Sequence, residues 1–294
     1  MGKQGFRFRG ESQILDAEAR LSAPGQFVKL SGGMVHYEIA GPSNAQTVIL
    51  VPGFSVPYYV WDPTFKGLVE AGYRVVRYDL YGRGYSDRPE GVYNQGMFDQ
   101  QLVELLSALE IEDAVDMIGL SMGGAIAVVF VDRHPELVRR LCLISPAGLP
   151  MERSLTARLV EIPVLGELVM SLWGSQVLIS GLRDDFHEED GMESYLEKYR
   201  EQMEYRGFKR ALLSTLRSGV LAGTAEAYER VGRQKRAVML IWGRRDRVVP
   251  FEMNERVRGL MGNVEFHIVD NAGHISHYEC PEVVNSLLVG FLAR

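Results

Sequence analysis

Five residues in the middle of the chain, Gly119-Leu120-Ser121-Met122-Gly123, narrow the possible folds more than any other stretch. Residues 114–119 before the serine, AVDMIG, are a short and mostly apolar run suited to a buried strand. Residues 124–131 after it, GAIAVVFV, are small and aliphatic and suit a helix packed tightly on a sheet. A serine carried straight from strand to helix sits on a sharp, strained turn that lifts its hydroxyl clear of the backbone. Side chains two before and two after it would collide across that turn, so Gly119 and Gly123 lack a Cβ. The positive end of the following helix then faces any negative charge that develops at the hydroxyl. In a chain with 31 glycines, G-x-S-x-G alone is a weak signal, and the flanking strand and helix make it specific.

The rest of the chain supplies the sheet that such a turn needs. Residues 34–40 alternate, and residues 47–51 (TVILV) are a continuous aliphatic run, as in the middle of a parallel sheet. Residues 73–78 and 141–144 read as further strands, with helices over 65–71 and 95–109 between them. Residues 238–242 and 264–269 resume the strand pattern, and 282–292 read as a closing helix. Alternation of this kind predicts an α/β fold with a mostly parallel central sheet and helices on both faces. Ligand sites in such sheets lie at the carboxyl ends of the strands. That places Pro52–Phe54, the glycine-rich exit 79–84, Ser121 and residues 145–148 along one edge.

Between residues 148 and 232 the alternation stops and helical spacing takes over. Tyr195, Tyr199 and Met203 form an i, i+4, i+8 stripe. This stretch reads as a helical cap (148–232) inserted into a core formed by 1–147 and 233–294. Leu165, Leu168, Val169, Met170, Leu172 and Trp173 give it more apolar surface than seating on the core requires, so they are expected to line a substrate pocket above Ser121. The acidic run 184–190 reads as a solvated loop. Residues 1–25 read as a loosely tied arm with an amphipathic piece at 14–21 and no functional role.

A serine is a weak nucleophile near neutral pH unless a base takes its proton, and the base needs an acid to fix its tautomer. Two strand exits carry such groups: Asp246 follows 238–242, and His274 follows 264–269. Their order, serine then acid then histidine, is the one this strand–turn–helix architecture uses. Asp270 is the rival acid, although its place before Gly273 suits bonding to local backbone amides. His277 is the rival base, while His36, His134, His187 and His267 read as structural. An anionic intermediate needs two backbone N–H donors, and the expected ones are Met122, after the serine, and Phe54, on the exit of strand 47–51.

Composition removes several classes of function. The net charge of −6 and a pI near 5.6 argue against nucleic acid and against an anionic membrane surface as partners. No run approaches the length of a membrane span, and the polar N-terminus lacks the apolar stretch of a secretory signal. Cys142 lies in an apolar run and Cys280 precedes a proline, with no disulfide framework. A cytoplasmic protein without stable membrane insertion, monomeric or homodimeric, is expected. There is no HExxH and no Walker loop, and Gly82-x-Gly84 lacks the third glycine of a dinucleotide fingerprint, so neither metal nor organic cofactor is expected.

In this order and spacing VPGF, DLYGRGYSD, GLSMGG, WGRRDRVVP and NAGHISHYECPE resemble the α/β-hydrolase superfamily, over most of residues 35–294 outside the cap. The resemblance implies Ser121 as nucleophile, Asp246 as acid, His274 as base, and Phe54 and Met122 as oxyanion donors. Pro52 stands where many members have His, which implies the loss of a hydrogen bond supporting that loop. Serine at the nucleophile position argues against epoxide hydrolases and haloalkane dehalogenases, which use Asp there. Carbon–carbon bond hydrolases of this kind usually carry an aromatic residue after the histidine, where this chain has Ile275. The leading expectation is a serine carboxylesterase acting on a small-molecule ester, with short-to-medium acyl or monoacylglycerol-like substrates. The alternatives are a carbon–carbon bond hydrolase of vinylogous diketones and a hydrolase-like receptor with little turnover.

Overall fold

A computed structural model describes residues 6–151 and 159–294. Residues 1–5 and 152–158, which fall in the expected arm and cap, lie outside the described residues. Eight strands form one sheet: β1 (Gln26–Leu30), β2 (Gly33–Ala40), β3 (Thr47–Val51), β4 (Arg74–Tyr78), β5 (Val115–Leu120), β6 (Val138–Ile144), β7 (Ala237–Gly243) and β8 (Glu265–Val269). Their spatial order is β1-β2-β4-β3-β5-β6-β7-β8. β1 and β2 pair antiparallel, as do β2 and β4, and every other pairing is parallel. The central strands β3 and β5 are buried along their whole length, which is why they read as mostly apolar runs, with Asp116 of β5 paired to Arg139.

Helices cover both faces. α1 (Ala17–Leu21) belongs to the arm; α2 (Asp62–Glu70), α3 (Gln95–Ala108) and α4 (Met122–Arg133) follow β3, β4 and β5. α4 is buried over ten successive residues, Met122 to Val131, so its small aliphatic sequence is that of a helix enclosed in the core. Phe65 and Leu68 of α2 and Val284 and Leu288 of the last helix pack over the opposite face of the sheet.

The inserted stretch that reads as a cap contributes α5 (Leu165–Leu172), α6 (Gly174–Arg183), α7 (Met192–Gln202) and α8 (Phe208–Arg217). Tyr195, Tyr199 and Met203 are buried together, as their spacing requires. The next helix, α9 (Ala225–Gly232), packs on α4 and α10 (Met253–Met261), so the pattern-based boundary at 232 runs past the cap. The stem closes earlier, where Gly148 N–H donates to Leu221 O at 3.1 Å and Thr224 N–H donates to Gly148 O at 3.0 Å. α11 (Ser276–Glu279) and α12 (Pro281–Leu292) end the chain.

The arm is held more firmly than its polarity suggests. Phe8 is buried, and Gln13 exchanges backbone hydrogen bonds with Glu204 and Arg206 of the cap. Glu11 accepts the N–H groups of Gly207 and Lys209 at 2.9 and 2.7 Å. Only Ala17–Leu21 of the expected amphipathic piece is helical, and it buries none of its residues.

Candidate active site

The turn at Ser121 carries the strain expected of it. Its φ of 53° and ψ of −119° lie where residues other than glycine are uncommon, and surrounding bonds hold it there. Ser121 N–H donates to Ile144 O at 3.0 Å, and Ser121 O accepts Ala147 N–H at 2.9 Å. A Cβ on Gly119 would strike the Gly123 carbonyl, as the turn demands. A Cβ on Gly123 would instead strike the carbonyls of Val51 and Pro52. Gly123 is therefore required by the close approach of the β3 exit, where Phe54 lies. Met122, as the first residue of α4, has an N–H without an intrahelical acceptor.

Asp246 and His274 arrive from the exits of β7 and β8. His274 Nδ1 and Asp246 Oδ2 are 2.9 Å apart, and both side chains are buried. Asp246 Oδ1 accepts the N–H groups of Val248 and Val249, each at 2.9 Å. The carboxylate is thus oriented by its own loop and by the imidazole, and is no surface ion pair. With Nδ1 committed to Asp246, Nε2 is the ring nitrogen left for chemistry. Burial pushes the His274 pKa down, but the charges of Asp246, Asp185 and Glu279 and the bond to Asp246 outweigh it, and the net shift is upward. The rivals separate clearly. Asp270 is exposed and pairs with Arg244 at 3.1 Å, instead of capping its turn. His277 is buried with Nε2 3.0 Å from Val60 O, and burial lowers its pKa to about 3.

Ser121 and His274 line one cavity of about 220 Å³. Core residues Phe54, Val56, Leu120 and Ile275 form part of its wall. The cap wall comes from α6 and beyond it: Val177, Leu178, Gly181, Leu182, Asp185 and Tyr195. Leu165, Leu168, Val169, Met170, Leu172 and Trp173, expected at this wall, are absent from it. Leu165, Leu168, Leu172 and Trp173 are exposed on the outer side of the cap, Met170 is buried, and Val169 is half-buried. Spacing alone could have found the true wall, since residues 177, 178, 181, 182 and 185 share one helical face.

The acidic run is also placed differently from expectation. Asp184, Glu188, Glu189 and Asp190 are solvated, but Asp185 and Phe186 are buried. Asp185 O accepts His274 N–H at 2.8 Å, and the residue, a buried carboxylic acid, is among those that line the cavity. Burial raises the pKa of that carboxyl to about 7, against the opposing pull of His274. Glu279 accepts Gly273 N–H at 2.6 Å on one side and His187 N–H at 2.6 Å on the other. The segment after α6 is thereby stitched to the loop that carries His274.

The loop at Phe54 has a support that its proline did not suggest. Arg83, fully buried, donates from Nε to Phe54 O at 2.8 Å, from Nη1 to Tyr81 O at 3.1 Å, and from Nη2 to Thr215 Oγ1 at 2.9 Å. Its only charge compensation among the described residues comes from carbonyl dipoles and aromatic faces, with Phe54, Phe98 and Tyr93 rings 5.6 to 5.9 Å from the guanidinium carbon. Burial lowers the Arg83 pKa to about 10, so it remains a cation.

Comparison with known proteins agrees with this architecture. A profile described as the alpha/beta hydrolase family matches residues 48–287. A 2-hydroxymuconate semialdehyde hydrolase of Pseudomonas sp. (strain CF600) is 31% identical over 230 residues, covering 75% of this chain and 77% of that protein. The AB hydrolase superfamily protein YfhM of Bacillus subtilis is 28% identical, over 91% of this chain and 97% of its own length. Among solved structures, an enol-lactonase from Burkholderia xenovorans LB400 superposes with a TM-score of 0.78 at 21% identity, covering 92% of this chain and all of that one.

Proposed function

The chain belongs to the alpha/beta hydrolase family, and from that premise we propose that it cleaves carboxylic esters through an acyl-enzyme. The observation that carries the reading is the buried Asp246–His274 pair opening, with Ser121, onto a mostly apolar cavity. His274 Nε2 takes the proton of Ser121 as Oγ attacks the ester carbonyl carbon. Asp246 holds Nδ1–H and stabilises the imidazolium that forms. The N–H groups of Phe54 and Met122 receive the negative oxygen. His274 returns the proton to the departing alkoxide, and the alcohol leaves. Water, deprotonated by the same imidazole, then releases the acid and restores Ser121.

The cavity favours a neutral substrate. Among its described lining residues there is no Lys or Arg, and the acidic one is Asp185. A substrate carboxylate would lack a cation there and would meet Asp185 instead. At about 220 Å³ the space is small for a ligand site, in keeping with acyl groups of roughly four to eight carbons. Carbon–carbon hydrolysis of a vinylogous diketone is the second reading, favoured by the 31% identical relative. A p-nitrophenyl ester series from acetate to palmitate, run beside a 2-hydroxymuconate semialdehyde, separates them. Esters should give the higher kcat/KM with a maximum between about four and eight carbons. A dominant rate on the dienone would move the assignment to carbon–carbon hydrolysis.

A further inference from the structure

The apolar side chains that miss the cavity are arranged in a way that a folded core does not explain. In α5, Leu165, Leu168, Val169 and Leu172 follow i, i+3, i+4, i+7 spacing, the apolar stripe of an amphipathic helix. Such a stripe normally faces inward. Here Gly166 and Met170 face the protein, while Leu165, Leu168 and Leu172 are 37%, 47% and 54% exposed. Trp173 at 54% and Val177 at 42% extend the exposed face across the turn into α6. A contiguous patch of large apolar side chains marks an interaction surface.

Two observations identify what covers it. The patch is continuous with the active-site cavity, because Val177 belongs both to the exposed face and to the cavity wall. It is also bordered by cations. Arg9 N–H donates to Ser171 Oγ, one residue before Leu172, at 3.1 Å, which lays the arm against α5. Arg7 and Arg9 are exposed there and, among the described residues, form no ion pair, and Phe6 beside them is also exposed. Of the nearby acids, Glu167 is neutralised by Arg217 at 2.6 Å. An outward apolar helix with aromatic side chains and arginines at its edge matches a segment that lies in the headgroup region of a bilayer. No single helix among the described residues is long and apolar enough to cross a membrane, and α5 and α6 meet at 73°, so the face is suited to lying on the surface.

We propose that the α5 face, with Trp173 and Val177, docks the protein on an anionic phospholipid surface, Arg7 and Arg9 meeting the headgroups. This opposes the expectation drawn from the net charge of −6, which averages over the whole molecule while docking is decided at one face. It is independent of which bond Ser121 cleaves. Docking so oriented brings the Val177 edge of the cavity to the lipid, so that a molecule dissolved in the bilayer reaches Ser121 without crossing water.

The test is co-sedimentation of the full chain with vesicles of phosphatidylcholine alone and of phosphatidylcholine mixed with phosphatidylglycerol. Binding should be stronger on the mixed vesicles. It should fall at least tenfold in a Leu168→Asp/Leu172→Asp variant, and about fivefold for each of Arg7→Ala and Arg9→Ala on the mixed vesicles. These side chains lie outside the cavity, so turnover of a soluble ester should be unchanged and serves to show that the variants fold. Wild-type fluorescence gives a second reading without any variant. Trp61 and Trp242 are fully buried, so a blue shift on adding vesicles reports Trp173. Absence of binding to either vesicle, or equal binding by wild type and the double aspartate variant, would overturn the proposal. Self-association abolished by the aspartates, without vesicle binding, would assign the face to a second copy of the chain and overturn it equally.

Discussion

Replacing Arg83 by methionine tests whether the Phe54 loop is set from outside its own strand. Methionine keeps the length and apolar bulk but removes all three donors. Phe54 O, Tyr81 O and Thr215 Oγ1 then lose partners at 2.8, 3.1 and 2.9 Å. A hydrogen bond from a charged donor contributes ~1.5–3 kcal/mol, and a buried acceptor left alone costs ~1–3 kcal/mol. Against this, the variant no longer buries a guanidinium, a cost visible in the lowered Arg83 pKa. The balance should be a loss of ~2–4 kcal/mol in unfolding free energy. The effect on rate is separate. Removing an oxyanion donor outright costs ~10²–10³ in kcat, whereas Arg83→Met only loosens the Phe54–Ser55 peptide, the one next to the peptide that carries the Phe54 N–H. A fall in kcat of ~10- to 100-fold is expected, equivalent to ~1.4–2.7 kcal/mol of barrier, with KM little changed. Urea unfolding gives the first quantity and steady-state hydrolysis of a soluble p-nitrophenyl ester, well below the unfolding midpoint, gives the second. If kcat stays within twofold of wild type at equal folded fraction, Arg83 does not position the loop and the reasoning fails.

Ser121→Ala should keep the fold and lower ester turnover by ~10³-fold or more, measured by burst and steady-state kinetics. Asp246→Asn should lower kcat by ~10³- to 10⁴-fold while Asp270→Asn changes it less than threefold, because Asp246 meets His274 and Asp270 meets only an exposed arginine. The base must be neutral and its pKa is raised, so kcat/KM should fall as pH drops through a value above 6.5; Asp185→Asn removes one of the negative charges that raise it and should move that limb to lower pH. The Asp185 carboxyl, with a folded pKa of about 7 above its unfolded value of 3.8, costs stability progressively as pH rises between the two, so Asp185→Asn should resist urea better than wild type at pH 8 and show less advantage at pH 4. Gly181 lines the cavity with open space where a Cβ would stand, so Gly181→Leu should shift the acyl optimum towards acetate in the ester series.

What the sequence makes legible follows from where each residue's environment is set. β3 is read to its last residue because, buried on both faces, it follows Thr47 with four aliphatic side chains in succession. β1, QFVKL, escapes that reading because it is a half-exposed edge with Lys29 inside it, and α10, MNERVRGLM, because one of its three buried residues is the polar Asn254. Ser121, Asp246 and His274 are legible because each ends or closely follows a strand, and parallel strands deliver their exits to one edge. The bonds of Arg83 are not legible, because they join a β4 exit, a β3 exit and a cap helix that no local pattern relates. Leu165 to Trp173 are misplaced for a simpler reason: apolar composition says that a surface will be covered, and says nothing about which molecule covers it.

The inserted helical segment is joined to the proposed reacting groups on two sides of the cavity. On one side Thr215 of α8 meets Arg83 and so the Phe54 loop. On the other, the Asp185 carbonyl accepts the His274 and Ile275 N–H groups at 2.8 and 3.4 Å, while Glu279 spans the His274 loop and His187. Lifting the whole cap would therefore disturb both the expected oxyanion site and the base, and would expose buried carbonyls that lack other partners. Among the described residues the α5–α6 corner has no hydrogen bond to either group; its directional bonds run to the arm and α8, from Arg9 N–H to Ser171 Oγ, from Lys209 Nζ to Ser175 Oγ and between Arg217 and Glu167. Its inward contacts at Met170 and Leu182 are apolar and its outer face, Leu172, Trp173 and Val177, is exposed. Access to Ser121 is accordingly expected at the Val177 edge, where a shift of one helix end widens the cavity while Arg83, Asp185 and Glu279 keep the chemistry in register.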